Sequence, residues 1–324
     1  MKKAKKQPSV AVIITTWNYP EIDRCLESLK KGQKRCKNLY VVVVDNASAN
    51  NEGKRIKKKF PWIYLIQNKE NYGFAKGSNT GIKYAIKKFK ADYFFLLNND
   101  TEVRKNAIKN MVEFAESRKD AGIVGCKLLY PGGKIQHAGG WIKPYGMGHY
   151  GNNEEDKGQY GKIKEVDYVT GAAFLIKREM IEKIGLLDEV FSPFFREEVD
   201  FCFRARKSGY KIFYFPESTI IHYTSESIRK RQGFYRFFVF EKNRIRLAFL
   251  NFPLAWLIPF EIASLAFIFI SKRDENKKFG IGNLAFNGDF PVKLAISLWA
   301  HLFTFARLPE ILNKRFNRRK KIWY

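Results

Sequence analysis

Three groups of polar side chains in this sequence have types and spacings that could do chemistry. Asn98-Asn99-Asp100 follows the apolar run Tyr93 to Leu97. A hard divalent cation such as Mg2+ or Mn2+ takes oxygen ligands and bridges diphosphate oxygens, and one carboxylate at a strand end leaves positions open for phosphate and water. The same residues equally start a helix through an Asx-turn. Glu197-Glu198-Val199-Asp200 sets three carboxylates within one turn at the start of a helix, where one glutamate can face a cleft and act as general base. Acids there also complement a helix dipole, and Asp200 with Arg204 makes an i,i+4 pair. Asp45 closes the run Leu39 to Val44, where a carboxylate can accept hydrogen bonds from a nucleobase or a ribose, or merely cap the next turn.

Two further features are weaker alone. The stretch NYGFAKGSNTG (71–81) reads as a glycine-containing loop running into a helix, which lets backbone approach a phosphate or simply serves helix packing. It is neither G-x-G-x-x-G nor a Walker A loop. His222 follows the apolar run Thr219 to Ile221, a place where a histidine is more often a satisfied core residue than a ligand.

The elements that must hold these groups alternate. Val10 to Ile14, Leu39 to Val44, Ile63 to Ile66 and Tyr93 to Leu97 read as buried parallel strands. Helices are expected after Asn18, whose spacing to Glu21 resembles a capping box and which should run to Gly32, and near 52–59, 78–88 and 105–118. This alternation predicts an α/β parallel sheet with ligands at the strand carboxyl ends, where Thr15, Trp17, Asp45 and Asn98-Asn99-Asp100 stand. From 129 to 223 a Gly- and Tyr-rich section and two helical patterns predict a mixed sheet forming the other wall of a cleft.

In order along the chain, IITTWN, VVVVDNAS, NYGFAKGSNTG, LLNNDTEV, VTGAAFLIKRE, FREEVDFCFRARKSGY and ESTIIHY resemble glycosyltransferase family 2, especially its rhamnosyltransferase-like and galactofuranosyltransferase-like members. The resemblance runs from about residue 9 to 246. It implies a GT-A fold with a nucleotide-sugar-binding half (9–128) and an acceptor and catalytic half (129–235); a basic tail (1–8) stands before it, and the composition of the rest predicts a C-terminal helical, membrane-associating region (236–324). The resemblance implies that Thr15, Trp17 and Asp45 contact the donor nucleoside, and that Asn71, Gly73, Lys76 and Asn79 lie near its ribose and diphosphate, with Asn98 and Asn99 beside them. Asp100 matches the retained acid of an Asp-x-Asp element and is expected to bind Mg2+ or Mn2+, with His222 completing the shell as in galactofuranosyl-type members. Asn98 stands where that element often has its first Asp. Glu198 matches the catalytic base, with Glu197 as the fallback; Gly171 and Ala172 match small residues beneath donor sugar and acceptor, and Asp200 is placed on the acceptor side. The implied reaction is an inverting, single-sugar transfer from a nucleoside-diphosphate sugar, dTDP-rhamnose first and a UDP-hexose next, to a glycan or lipid-diphosphate-linked saccharide.

The rest of the chain bears on location. Lys+Arg outnumber Asp+Glu 59 to 32, a formal net charge of +27, which implies an anionic partner: nucleic acid, acidic lipid or phosphorylated substrate. No helix-turn-helix, RRM or KH signature is present, so a nucleic-acid partner is not expected. A nucleotidyltransferase would carry a basic glycine-rich loop after the first strand, where TTWNYPE stands instead. Residues 247–271 are long enough to span a bilayer, which takes about 20 residues, but Pro253, Pro259 and Glu261 interrupt them. Both flanks are basic (Arg236, Lys242, Arg244, Arg246; Lys272, Arg273), so a re-entrant or in-plane hairpin at the cytoplasmic face is expected rather than a span. Further on, Val292, Ile296, Trp299, Phe303 and Ala306 share one face, and Lys293, Ser297, His301 and Thr304 another, as in an interfacial helix; a core or dimer helix, and hence a homo-oligomer, is the alternative. The ending NKRFNRRKKIWY adds attraction to anionic lipid. Four cysteines without a C-x-x-C pair, and a basic start without an apolar h-region, predict reduced thiols in a cytoplasmic protein.

Overall fold

The computed structural model describes residues 7–33, 38–224, 233–270 and 290–318. Cys36, Lys272, Arg273 and the basic stretches at 1–6 and 319–324 lie outside the described residues.

One ten-stranded sheet organises residues 10 to 222. Its first half is β1 (Val10–Thr16), β2 (Leu39–Asp45), β3 (Tyr64–Gln67) and β4 (Tyr93–Leu97), all parallel, in the order β4-β1-β2-β3. Alternate residues of β1 enter two different cores, Ala11 and Ile13 on one face, Val10, Val12 and Ile14 on the other. That two-sided burial is why the strand reads as an unbroken apolar run. β3 is the edge strand and only half-buried, so the third expected strand is weaker than a core strand. Helix α3 (Gly73–Phe89) covers one face and α1 (Ile22–Gln33) with α2 (Glu52–Lys59) the other. Because β2 and β4 flank β1 on opposite sides, a crevice opens at their carboxyl ends.

Two expected features differ. The helix near 78–88 begins five residues earlier, at Gly73. Gly77 and Gly81 are therefore packing positions inside α3: a Cβ at Gly81 would lie 2.4 Å from Ile13 Cγ2, and one at Gly77 would lie 2.9 Å from Thr15 Cγ2. The capping box at Asn18 does not form. Asn18 adopts a left-handed φ of 49° and accepts from Ala49 N at 2.7 Å, which ties the end of β1 to the loop after β2.

The second half is mixed. β6 (Ala121–Leu129), β11 (Ala173–Lys177) and β12 (Lys211–His222) extend the sheet, with β11 antiparallel to β4. Short β5 (Thr101–Val103), β7 (Ile135–His137) and β10 (Lys164–Glu165) pair along its margin, and β8 (Gly140–Lys143) with β9 (Gly146–His149) forms a separate hairpin. Helices α4 (Ala107–Ser117), α5 (Arg178–Ile184) and α6 (Glu197–Lys207) complete it. Cys25, Cys126 and Cys202 are free and buried.

Among the described residues four helices follow: α7 (Phe234–Asn251), α8 (Leu254–Ile270), α9 (Phe290–Phe305) and α10 (Leu308–Asn317). The apolar stretch 247–271 is not one segment: its first part completes α7, and Pro253 separates that from α8. Among the described residues no helix is long and apolar enough to cross a membrane.

Candidate active site

The crevice is lined by strand ends in register. Thr16 pairs with Asp45 across β1 and β2, and Asp45 with Gln67 across β2 and β3. Thr15 and Trp17 are half-buried at this edge. Asp45 is buried, and its Oδ1 accepts from Ser48 N at 3.0 Å, so the capping alternative is realised for that oxygen. Asn99 Nδ2 donates to Thr16 Oγ1 at 3.0 Å, joining the ends of β4 and β1.

Next to this edge, Asn71 Oδ1 accepts from Gly73 N at 2.9 Å and forms the turn that opens α3. Gly73 has φ +70°, and a Cβ there would sit 2.5 Å from Pro193 O, so only glycine fits. The ammonium of Lys76 lies 3.5 Å from the centre of the Tyr72 ring and 3.9 Å from Glu70 Oε1, on a partly exposed side chain. Asn79 differs from expectation. It is buried, its amide donates to Leu187 O and Glu189 Oε1 at 2.9 Å, and its oxygen accepts from Leu187 N at 3.0 Å. Its hydrogen bonds go to the loop that precedes α6, which leaves it no place as a ribose or diphosphate ligand in this conformation.

At the end of β4, Asp100 meets His222 from the end of β12. Asp100 Oδ1 and His222 Nε2 are 3.0 Å apart, and Asn98 Nδ2 is 3.3 Å from the same nitrogen. His222 Nδ1 lies 2.6 Å from Gln136 Oε1 on β7. A protonated Nδ1 donating to that oxygen leaves the Nε2 lone pair turned toward the carboxylate. Two cis ligands of an octahedral cation at about 2.1 Å are separated by about 3 Å, so the pair fits a hard divalent ion. Among the described residues no third His, Cys, Asp or Glu joins them. Such an ion would take its remaining ligands from diphosphate and water.

The opposite wall is the start of α6. Gly171 is buried, and a Cβ placed there would lie 3.3 Å from the Phe74 ring and 3.6 Å from Glu198 Cβ. Ala172 O accepts from Asn98 N at 3.0 Å, so the strand beneath Glu198 is bonded directly to the strand bearing Asp100. Glu198 is partly exposed, whereas Glu197 is 5% exposed and its Oε2 has no hydrogen-bond partner among the described residues. Burial pushes both carboxyls above the ordinary glutamate value, and the neighbouring Glu198 charge raises Glu197 further. Arg196 opposes the rise on both.

Asp200 is not part of that wall. It is 0% exposed, its Oδ2 accepts from Arg204 Nε at 3.0 Å, and its Oδ1 accepts from Asn251 Nδ2 at 2.8 Å and from Arg318. Burial works against its charge, but Arg318 and Arg204 hold the carboxyl well below its usual range. The acceptor-side expectation for Asp200 is therefore corrected: it joins α6 to α7 and α10.

Four residues at this site were given no role by the sequence reading. Gln136 orients His222. Arg196 and Phe195 both have left-handed backbone (φ 77° and 78°), an arrangement that costs energy for non-glycine residues. Asn243 of α7 holds that loop, its Nδ2 lying 2.7 Å from Phe191 O, 2.9 Å from Phe194 O and 3.0 Å from Phe195 O. An asparagine in a helix of mixed charged and apolar residues gives no local signal for this, and Gln136 lies in a glycine-rich stretch without periodicity.

The sheet order, the strand-end acid facing a histidine and the glutamate across the crevice place the chain in the GT-A class of α/β glycosyltransferase folds. A solved structure of a mannosyltransferase from Pyrobaculum calidifontis in complex with GDP-Man and Mn2+ shares this fold, with a TM-score of 0.56 at 16% identity over 97% of this chain and 86% of that one. Residues 11–185 match glycosyl transferase family 2, and the chain belongs to that family. Its relatives include the low-salt glycan biosynthesis hexosyltransferase Agl10 of Haloferax volcanii, 27% identical over 56% of this chain and 61% of that protein. The dTDP-rhamnosyl transferase RfbF of Shigella flexneri is 27% identical over 66% of this chain and 69% of that protein. The chain spans 25%, 61% and 18% of the length of three curated relatives it matches.

Proposed function

We propose that this protein is an inverting glycosyltransferase that moves one sugar from a nucleoside-diphosphate sugar to a hydroxyl of a glycan or a lipid-diphosphate-linked saccharide. The observation that carries the proposal is the contact of Asp100 with His222, 3.0 Å apart at adjoining strand ends, together with Glu198 beside Gly171. The donor is dTDP-rhamnose in the first instance, a choice supported by the similarity to RfbF, and a UDP-hexose in the second.

Thr15 and Trp17 would bound the nucleoside, and the second oxygen of Asp45 would reach its ribose or base. Asp100 and His222 would hold Mg2+ or Mn2+, with Asn98 and Asn99 framing the diphosphate. A divalent ion there supplies Lewis-acid stabilisation of the departing diphosphate. Lys76 adds a fixed positive charge to the same end. Glu198 takes the proton from the acceptor hydroxyl as its oxygen bonds to the anomeric carbon from the face opposite the diphosphate. The bond from that carbon to the diphosphate oxygen breaks, its electron pair leaves with the nucleoside diphosphate, and the configuration inverts. Glu198 suits this role better than Glu197 because it is partly open to the crevice. Its raised pKa makes it a stronger base once ionised, so the acidic limb of the pH–rate profile falls above the ordinary glutamate value.

The test is nucleoside-diphosphate release from a panel of nucleotide sugars with Mn2+, Mg2+ or EDTA. Release is expected with one donor, only with metal. Glu198→Gln should lower turnover by about 10²–10⁴-fold with nucleotide binding intact. Near-normal turnover by that variant would sink the assignment of the base, and absence of nucleotide binding across the whole panel would sink the reading itself.

A further inference from the structure

The C-terminal helices bury a cluster of polar side chains among their apolar ones and leave a second set of apolar side chains exposed. Glu241 and Arg244 of α7 are 4% and 3% exposed, and Ser297 and Thr304, on the expected polar face of α9, are buried with them. Outside, α8 presents Ile258, Ile262 and Leu265, and α9 presents Leu298, Trp299 and Leu302, each set following helical spacing. Ile258 is 74% exposed and Leu302 63%. Scattered apolar residues on a surface need no explanation, but two helical stripes of them over an ionic interior do.

Beside the α9 stripe lies a cluster of cations. The Arg307 guanidinium stacks 3.8 Å from the Phe303 ring centre, and Lys242 Nζ lies 5.9 Å from the same ring. Among the described residues neither has a carboxylate within salt-bridge distance, while nearby Arg246 is paired with Glu310 at 2.7 Å. Burial, Arg246 and Arg307 together push Lys242 down to about 8, as expected of a lysine that faces like charge without an anion.

We infer that the exposed faces of α8 and α9 dock in the plane of an anionic bilayer, the apolar stripes in the acyl boundary and the Lys242–Arg307 cluster on a lipid phosphate. Nothing crosses the bilayer: among the described residues no helix is long enough. An in-plane helix with apolar side chains down and basic ones at its margin binds by both terms. A second copy of the chain fits less well. A two-fold contact would set the stripe against itself and bring two uncompensated Lys242–Arg307 clusters together. This inference does not depend on the donor or on the reaction.

The experiment is co-sedimentation of the full chain with vesicles of phosphatidylcholine alone, or with one third phosphatidylglycerol, alongside size-exclusion chromatography with light scattering. Wild type should partition to the anionic vesicles at least tenfold more than to the neutral ones. Ile258→Gln with Leu302→Gln, which leaves the charge unchanged, should lower partition to both at least tenfold. Lys242→Gln with Arg307→Gln should lower partition to the anionic vesicles and leave partition to the neutral ones unchanged. Nucleotide binding and far-ultraviolet circular dichroism of all variants should match wild type. Equal partition of wild type to both vesicle types overturns the inference, as does undiminished binding by the Ile258/Leu302 pair. A dimer in wild type that the same pair splits, without vesicle binding, assigns the face to a second copy and equally overturns it.

Discussion

The sheet half has an apolar interior, whereas the C-terminal helical layer buries a charge cluster among its apolar residues. In β1, β2 and β4 apolar residues fill both faces, and polar residues stand at the carboxyl ends, where the crevice is. In α7 to α9 a charge network is buried among apolar residues such as Phe240, Ile245 and Phe260. Arg244 donates to Glu241 and Glu261 at 3.0 Å, and Ser297 donates to Glu241 at 3.1 Å. His301 meets Glu261 at 3.2 Å and Ser297 O at 2.7 Å. Both ring nitrogens of His301 face oxygen acceptors, which favours the doubly protonated ring; in that form two cations balance two carboxylates. Glu261, read from the sequence as an interruption of a membrane segment, is instead the point where α8 and α9 join α7. The two halves teach that hydrophobic periodicity locates an element but does not say which of its faces turns inward. The partner's charges decide that.

The comparison breaks most sharply at Arg244. Arg244→Met leaves Glu241 and Glu261 without their shared cation in a buried site, and loss of one member of such a cluster costs about 3–5 kcal/mol. Urea unfolding should report it as a lower midpoint. Adding Glu241→Gln and Glu261→Gln to the same chain should recover most of the loss, since the uncompensated charges go with the cation. A single variant that costs under about 1 kcal/mol would mean the network is solvated and the two halves do not differ as argued.

The contrast also explains what the sequence revealed and what it hid. The strands that end in Thr15, Asp45 and Asn98 were legible because each is a short apolar run cut off by polar residues, a local signal that burial on both faces enforces. The start of α3 was misplaced because glycines that let a helix approach a sheet look the same in sequence as glycines that let a loop approach a phosphate. Asp200 and Asn79 received roles on the crevice by likeness of position. Spacing gave Asp200 its partner Arg204, four residues on, but its partner Arg318 and the Leu187 that holds Asn79 lie 118 and 108 residues away in the chain, and no spacing rule reaches that far. The two faces expected of α9 are not the ones it presents: Ile296 of the apolar set is buried beside Ser297 and Thr304 of the polar set, while Trp299 is exposed.

A smaller effect tests whether the helical layer serves the crevice. Asn243 is the contact through which α7 holds the left-handed loop before Glu197 and Glu198. Asn243→Ala leaves buried carbonyls without a donor and should cost about 1–3 kcal/mol. If the layer positions the catalytic helix, turnover should fall at least tenfold while donor affinity stays within twofold. The acidic limb of the pH–rate profile should move as well, since the loop sets the burial of Glu198. A loss of stability with turnover and pH profile unchanged would reduce Asn243 to a structural role.

The smallest expected effect is one of pH, and it separates the two halves by sign. Burial pulls His301 down, but its contacts with Glu261 and Ser297 O prevail and hold it above its ordinary value. A group whose folded pKa is raised contributes stability that is complete below the unfolded value, about 6.5 for histidine, and that is lost as pH rises through the folded value. Asp200 runs the other way. Held well below the usual carboxyl range, it contributes stability above the unfolded value, about 3.9, which is lost as pH falls. Stability should therefore decline on the alkaline side through α9 and on the acid side through α6. His301→Gln should flatten only the alkaline decline, measured as urea midpoints from pH 5 to 9, because it removes the titrating ring and leaves Asp200 with its arginines. If that variant keeps the wild-type decline above pH 6.5, the proton shared with Glu261 is not what closes the charge balance in the helical layer.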